Sequence, residues 1–322
     1  MPRLILGAFA AASLGLLISG SAHAAKPFPS PSAPAPVFYR SVKVDGLDIF
    51  YREAGPADAP IVLLLHGFPT SSHMYRNLIP ALADRYHVIA PDYPGFGQSG
   101  TPDRSEFKYS FAHFAEIIDA LMKQLGAEHY AIYVQDYGAP VGYRLALLHP
   151  DRISALIVQN GNAYEQGLKA FWTPLKAYWA DGSTEHRNAL RAGLTLEATK
   201  SQYIDGVQDP SRIDPDNWVH DQALLDRPGI DEIMLDLFKD YGSNVALYPQ
   251  FQKFFHSRRP PTLIVWGQND AIFPADGARP YLRDLPDAEF HLLNTGHFAL
   301  EDKGEEIAAL MHDFLDRKLS HK

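Results

Sequence analysis

Two aspartates and a histidine each lie shortly after an apolar run, in the chain order nucleophile, acid, histidine. Asp136 follows the run 130–134 and comes just before Gly138, Asp270 follows the run 263–266, and His297 lies in a loop beyond a further run. A strand that turns sharply into a helix through small residues lifts its central side chain into a cleft. We therefore interpret Asp136 as a nucleophile, His297 as a general base and Asp270 as the acid that orients the imidazole.

A second motif could supply backbone donors to the same centre. His66-Gly67-Phe68-Pro69 follows the apolar run 61–65, where sheets of this kind place one oxyanion donor. The backbone N–H groups of Phe68 and Tyr137 are predicted to face the developing oxyanion. Each such donor is worth about 2.7 to 4 kcal/mol in comparable sites.

The choice of aspartate indicates which bonds could be broken. A carboxylate with a pKa near 4 is a poor nucleophile for ordinary esters, because it would have to expel an alkoxide whose conjugate acid has a pKa near 15, a gap of roughly 15 kcal/mol. It suits an attack on saturated carbon that gives an alkyl ester. Water activated by His297 would then hydrolyse that ester at the Asp136 carbonyl and regenerate the carboxylate.

The elements that must position these residues follow from the hydrophobic pattern. Residues 42–51 alternate about the turn Asp45-Gly46 and predict a β-hairpin. A helix is predicted from Ser110 to a stop at Gly126. Continuous apolar runs predict strands buried on both faces, and hence a mostly parallel α/β sheet; these runs are 61–65, 86–90, 130–134, 153–158, 263–266 and 290–293.

The segment 164–257 does not continue this pattern of apolar runs. It is rich in aromatic residues on helix-like stretches punctuated by proline. We predict a helical cap over 164–257, inserted into a core made of residues 37–163 and 258–322.

The N-terminus resembles an export signal. Arg3 precedes the apolar run 4–18, and Ala22-His23-Ala24 fits a cleavage pattern, so residues 1–24 are predicted to be a signal peptide. An uncleaved anchor is the alternative, although the run is shorter than the roughly 20 residues that span a bilayer. Residues 25–36 alternate proline with small residues and predict an extended tether. The expected location is periplasmic or secreted, without stable membrane association after cleavage.

Composition narrows the possible chemistry and partners. The 322-residue chain has no cysteine, which excludes disulfides, a cysteine nucleophile and a thiolate metal site. Its net charge of −9 disfavours nucleic acid as a partner, so a small molecule is expected. No histidine pair has zinc spacing, and Gly95-Phe-Gly97-Gln-Ser-Gly100 is not followed by a helix pattern, so neither a metal nor a cofactor is predicted. The oligomeric state is not predicted.

Over residues 37–319 the sequence resembles the α/β-hydrolase superfamily, in its branch of epoxide hydrolases and haloalkane dehalogenases. The resemblance implies the α/β-hydrolase fold, with a mostly parallel central sheet flanked by helices and an inserted helical cap. It rests on five segments: HGFPTSSHMYRNLIP at 66–80, PDYPGFGQS at 91–99, VQDYGAPVG at 134–142, VWGQND at 265–270 and GHF at 296–298.

The resemblance leaves the leaving group open. Epoxide hydrolases protonate the leaving oxygen with cap tyrosines, and Tyr241 occupies the corresponding place, with Tyr178 or Tyr203 as a second candidate. Packing in an aromatic core is the alternative interpretation of all three.

Dehalogenases bind the halide differently. The resemblance would place a tryptophan directly after the nucleophile, and in one subgroup an asparagine after His-Gly, whereas this chain has Tyr137 and Phe68. Val134 does resemble dehalogenases, since epoxide hydrolases usually carry glycine there, and Trp172 of the cap is a candidate halide donor. The leading hypothesis is epoxide hydrolysis to a diol. The alternatives are haloalkane or haloacid dehalogenation and a non-catalytic receptor for a small ligand.

Overall fold

The computed structural model describes residue 1 and residues 35–319. The predicted signal peptide, apart from Met1, and all but the last two residues of the predicted tether lie outside the described residues. In the part that is described, no helix is both long and apolar enough to cross a membrane.

Eight strands form one sheet in the order β1-β2-β4-β3-β5-β6-β7-β8. Pairing is antiparallel between β1 and β2 and between β2 and β4, and parallel everywhere else. The strands are β1 Val37–Val44, β2 Leu47–Ala54, β3 Ile61–Leu65, β4 His87–Pro91, β5 Tyr130–Gln135, β6 Ile153–Gln159, β7 Thr262–Gly267 and β8 Glu289–Leu293. The mostly parallel α/β sheet predicted from the apolar runs is therefore confirmed.

Both faces of the sheet are covered, which explains why its central strands are apolar throughout. Along β3, Leu63 and Leu65 belong to one buried cluster, and Val62 and Leu64 belong to another. Because successive side chains of a strand point to opposite faces, the two clusters are the two layers between sheet and helices.

Ten α-helices accompany these strands within residues 35–319. They are α1 Leu78–Leu82, α2 Phe111–Gln124, α3 Gly138–Leu148, α4 Thr173–Asp181, α5 Thr184–Ala189, α6 Leu196–Ile204, α7 Asp216–Leu225, α8 Ile230–Arg258, α9 Tyr281–Asp284 and α10 Leu300–Leu319. The Ser110 hydroxyl accepts a hydrogen bond from the backbone N–H of His113 at 3.2 Å and caps α2. Gly126, with φ of 72°, lies just beyond the C-cap of this helix.

The chain between β6 and β7 forms helices only. Residues 160–261, all of them described, contain α4 to α8 and short 3₁₀ turns, but no strand. We refer to these helices and turns as the cap. The long helix α8 leads from the cap directly into β7, so its buried residues contribute both to the cap and to the layer of helices against the sheet.

Candidate active site

Asp136 lies on a strained turn between β5 and α3. Its φ is 50°, a left-handed conformation that residues other than glycine adopt rarely. The turn is so tight that a Cβ at Gly138 would lie 2.0 Å from the Leu65 carbonyl oxygen. A non-glycine residue held in this conformation costs about 1 to 3 kcal/mol, which is typical of residues that a fold positions for chemistry.

Backbone donors hold the Asp136 carboxylate in place. The N–H of Phe68 donates to its Oδ1 at 2.7 Å, and the N–H of Tyr137 also donates to the carboxylate. A Cβ at Gly67 would lie 2.4 Å from Asp136 Cβ, so only glycine fits at that position. Both predicted oxyanion donors therefore bond to the Asp136 carboxylate. The absence of a side chain at Gly67 lets the 66–69 segment lie close enough to Asp136 for this.

His297 lies between the two aspartates. Its Nδ1–H donates to Asp270 Oδ2 at 2.8 Å, which leaves Nε2 on the side of Asp136, 3.9 Å from Oδ2. All three side chains are buried. The structure thus brings together the three residues that sequence analysis selected, in the geometry of a base oriented by one carboxylate and facing another.

Asp270 is fixed by two further hydrogen bonds. The side-chain amide of Asn160 donates to its Oδ2 at 2.8 Å, and the backbone N–H of Ile272 donates to its Oδ1 at 2.7 Å. Sequence analysis did not select Asn160. The sequence feature that could have identified Asn160 is its position directly after the buried strand β6. The carboxyl ends of neighbouring parallel strands meet at one edge of the sheet, so a polar residue there lies close to the residues that follow the other strands.

Burial and charge shift the pKa values of Asp136 and His297. Burial raises the pKa of Asp136 to about 6, although His297 and the two backbone donors favour the charged form. Burial lowers the pKa of His297, but the carboxylates of Asp270 and Asp136 outweigh it and bring the pKa above the ordinary value. A buried carboxylate with a raised pKa, beside an imidazole whose charged form is favoured by two carboxylates, suits a nucleophile and a general base.

His66 supports the loop rather than the reaction. Its Nε2 accepts a hydrogen bond from the Tyr93 backbone N–H at 3.3 Å, and its Nδ1–H donates to the Gly67 carbonyl at 2.9 Å. Burial lowers the pKa of His66, so the ring is neutral and both nitrogens are occupied. The peptide bond between Phe68 and Pro69 is cis. The motif 66–69 therefore positions the Phe68 N–H.

A largely apolar cavity of about 470 Å³ lies over the turn at Asp136 between β5 and α3, which we call the elbow. Its floor consists of Phe68, Asp136, Tyr137, Asp270 and His297. Its roof consists of the cap residues Phe171, Trp172, Pro174, Leu175, Ala189, Leu190, Ala192, Gly193, Ala198, Ser201, Gln202, Asp205, Phe238 and Tyr241. Such a cavity suits a small apolar molecule held over a few polar atoms.

Tyr241 lies in the roof, close to the floor. It is buried, its ring centroid lies 6.0 Å from that of Tyr137, and burial together with Tyr248 and Asp136 raises its pKa well above 10. Its hydroxyl makes no hydrogen bond of standard geometry to another described residue, although it faces the Tyr248 hydroxyl as a potential donor. A neutral phenol beside the nucleophile can donate a proton to a substrate oxygen.

The other predicted donors are engaged elsewhere. Trp172 lines the cavity, but its indole N–H donates to the Ile272 carbonyl at 2.7 Å. Tyr178 does not line the cavity, and its hydroxyl accepts a hydrogen bond from the Arg187 guanidinium at 2.9 Å. Tyr203 is buried against Phe298 and donates to Asp221. Packing places the polar atoms of these three residues against protein, which does not favour Trp172 as a halide donor or Tyr178 or Tyr203 as a second proton donor.

Another buried residue touches the site and was not selected from the sequence. Gln135, the last residue of β5, places its side-chain Nε2 2.9 Å from Nε2 of His297. Sequence analysis included Gln135 only within the segment at 134–142 and gave it no role. Within residues 35–319 no group of three or more His, Cys, Asp or Glu residues is arranged to hold a metal ion.

Known proteins resemble most of this chain in sequence. The family model described as the alpha/beta hydrolase fold matches residues 60–304. An uncharacterized hydrolase of Saccharomyces cerevisiae is 47% identical over 275 residues, which cover 84% of this chain and 94% of the yeast protein. A haloalkane dehalogenase of Mycobacterium marinum is 30% identical over 281 residues, covering 81% of this chain and 86% of the dehalogenase.

Solved structures show the same fold. An epoxide hydrolase from Vigna radiata superposes with a TM-score of 0.69 at 22% identity, covering 87% of this chain and 98% of that one. At this identity the likeness concerns the fold alone.

Proposed function

The chain belongs to the α/β-hydrolase family, and from this premise we propose that it hydrolyses epoxides to diols through an ester on Asp136. The observation that carries the proposal is the juxtaposition of three groups in one apolar cavity. These are a carboxylate held by the Phe68 N–H at 2.7 Å, the His297 imidazole with Nε2 3.9 Å from that carboxylate, and the phenol of Tyr241.

The first step is attack of an Asp136 oxygen on an epoxide carbon. The carbon–oxygen bond of the ring breaks, and the leaving oxygen takes the proton of Tyr241. The product of this step is a hydroxyalkyl ester of Asp136. Because the bond is made to saturated carbon, no tetrahedral oxyanion arises, and the Phe68 and Tyr137 N–H groups serve at this stage to orient the carboxylate.

The second step is hydrolysis of that ester. Water gives a proton to Nε2 of His297 and adds to the ester carbonyl of Asp136, where the N–H groups of Phe68 and Tyr137 stabilise the oxyanion. Asp270 stabilises the imidazolium through its 2.8 Å contact with Nδ1. Collapse breaks the bond between the Asp136 carbonyl carbon and the alkoxide, which takes the proton of the His297 imidazolium and leaves as the diol. The proton of the new Asp136 carboxylic acid returns to the Tyr241 phenolate, so that the carboxylate, the neutral imidazole and the phenol are all restored.

Dehalogenation is the second candidate, because named haloalkane dehalogenases are among the relatives at 30% identity. A halide needs N–H or O–H donors and no proton transfer. The indole N–H of Trp172 is taken up by the Ile272 carbonyl, which leaves the phenol of Tyr241 as the better-placed donor. Among the described residues that line the cavity there is no Lys or Arg, which disfavours a haloacid because its carboxylate would lack a counter-ion.

A substrate panel separates the candidates. The purified protein would be incubated with aryl and alkyl epoxides and with bromoalkanes of matched chain length, and diol and bromide would be measured. We expect diol from at least one epoxide class and little bromide. Bromide release without turnover of any epoxide would reassign the protein to the dehalogenases, and recovery of every ligand unchanged would favour a receptor.

A further inference from the structure

The side chain of Gln135 contacts the one nitrogen of His297 that the proposed reaction uses. Its amide Nε2 lies 2.9 Å from the imidazole Nε2, while the opposite ring nitrogen, Nδ1, is bonded to Asp270. An amide –NH₂ can only donate, so at this distance it pairs with an imidazole Nε2 that carries no proton. The arrangement therefore fits the neutral form of the base.

The other end of the same amide has no partner. Gln135 is fully buried, and its Oε1 makes no hydrogen bond to another described residue. A Cβ on Gly67 would lie 2.5 Å from this oxygen, so the glycine that admits Asp136 also makes room for Gln135. An unpaired buried carbonyl costs about 1 to 3 kcal/mol and is usually retained for a reason.

We propose that Gln135 is a positioning residue for the hydrolytic step, which stabilises the neutral imidazole of His297 by donating to its Nε2. This inference rests on the proposed function, since it assumes that His297 deprotonates the water that attacks the ester. The amide must turn aside when water approaches Nε2.

The neighbouring charges act in the opposite direction. Asp270 after β7 and Asp136 at the elbow face the imidazole and favour its protonated form. The phenols of Tyr75, Tyr93, Tyr137 and Tyr241 also lie within electrostatic range of Asp136, but burial raises their pKa values well above 10 and they stay neutral. A hydrogen bond to the neutral ring lowers its pKa, so Gln135 opposes the two carboxylates.

A matched pair of glutamines makes the test specific. Gln159 is the register partner of Gln135 on β6, is equally buried, and donates its amide to the backbone carbonyl of His297 at 3.0 Å. Gln135→Met and Gln159→Met each remove one buried amide bonded to the same histidine. Only the first removes a bond to the imidazole.

The experiment measures hydrolysis of the ester intermediate as a function of pH. Enzyme would be mixed with an excess of the best epoxide from the panel, jumped to pH values from 5 to 9, quenched, and the alkylated Asp136 peptide followed by mass spectrometry. Hydrolysis speeds up as His297 loses its proton. We expect Gln135→Met to move the midpoint up by on the order of half to one pH unit, while the alkylation rate stays within about twofold.

Two further variants keep the result interpretable. Gln135→Glu offers only acceptors and should move the midpoint further upward than Gln135→Met, and Gln159→Met should leave it unchanged. Equal midpoints in the wild type, Gln135→Met and Gln135→Glu, with normal alkylation, would overturn the role of Gln135 and leave Asp136 as the nucleophile. Absence of any alkylated peptide in the wild type and in His297→Gln would instead overturn the proposed function.

Discussion

The floor and the roof of the cavity satisfy their polar atoms in different ways. On the floor, the Asp136, His297 and Asp270 side chains bond to one another or to the backbone around the elbow, and Asn160 braces Asp270. In the roof, the indole of Trp172 bonds away from the cavity. Of the aromatic roof residues, Tyr241 is the one that brings a polar atom without a hydrogen bond of standard geometry.

This difference indicates that the floor determines the reaction and the roof influences which substrates are accepted. A floor whose groups are mutually bonded is preorganised for one kind of reaction, because little reorganisation is needed as charge develops. A roof of mostly apolar side chains discriminates among substrates weakly, since one methylene in an apolar pocket is worth only about 1 to 3 kcal/mol. Changes on the floor should therefore abolish turnover, whereas most changes in the roof should redistribute substrates.

The largest effect is expected for Asp136→Ala on the floor. Removal of the nucleophile eliminates the ester route, and turnover of the best epoxide should fall at least about 10⁴-fold. Steady-state diol formation measures this, with circular dichroism to show that the fold is retained. Turnover close to that of the wild type would remove the carboxylate from the mechanism.

In the roof, Tyr241→Phe should be the exception to mild effects. Loss of the proton donor should slow alkylation by epoxides about 10²-fold, because the leaving alkoxide is no longer protonated. Tyr178→Phe is the matched control, since its hydroxyl bonds to Arg187 outside the cavity, and it should alter the rate less than about twofold. Similar rates for the two variants would place the donor elsewhere.

Gly67→Ala tests the packing of the floor. The new Cβ would lie 2.4 Å from Asp136 Cβ and must displace the elbow, and a shift of about 1 Å is enough to slow the reaction about 10²-fold. Gly304→Ala provides the control, because a Cβ there meets nothing within 4 Å. Both variants would be compared in diol formation and thermal unfolding, and equal activity would mean that the elbow tolerates the displacement.

The smallest expected effect is the pH dependence of alkylation. Only the ionised carboxylate attacks, and burial raises the pKa of Asp136 to about 6. The rate of ester formation should therefore fall about tenfold between pH 7 and pH 5, as the carboxylate becomes protonated. Rapid quenching of the alkylation step checks this. A rate that is flat down to pH 5 would indicate a nucleophile with an ordinary pKa.

The sequence predicts the floor much better than the roof, for a physical reason. Asp136, Asp270 and His297 follow apolar strands, and a parallel sheet brings the carboxyl ends of its strands together whatever the helices do. Tyr178 and Trp172 lie on cap helices, where a rotation of the helix decides whether a polar atom meets the cavity or another chain segment. Composition carries no signal for that rotation.

Two residues near the floor escaped prediction for a different reason. Gln135 is the last residue of β5 and Asn160 directly follows β6, so each lies at the polar end of an apolar run. Their roles depend on contacts with Asp270 and His297, which lie 110 and 162 positions further along the chain. Such partners become visible only when the strand order is known.

The most direct test of the covalent mechanism uses His297→Gln. Alkylation does not need the base and hydrolysis does, so the variant should accumulate the ester when mixed with the best epoxide of the panel. The measurement is the mass of the peptide that contains Asp136, compared with the same peptide from Asp136→Ala. The account predicts an increase equal to the mass of one substrate molecule on Asp136, whereas an unmodified peptide in a folded variant that still binds the epoxide would contradict it.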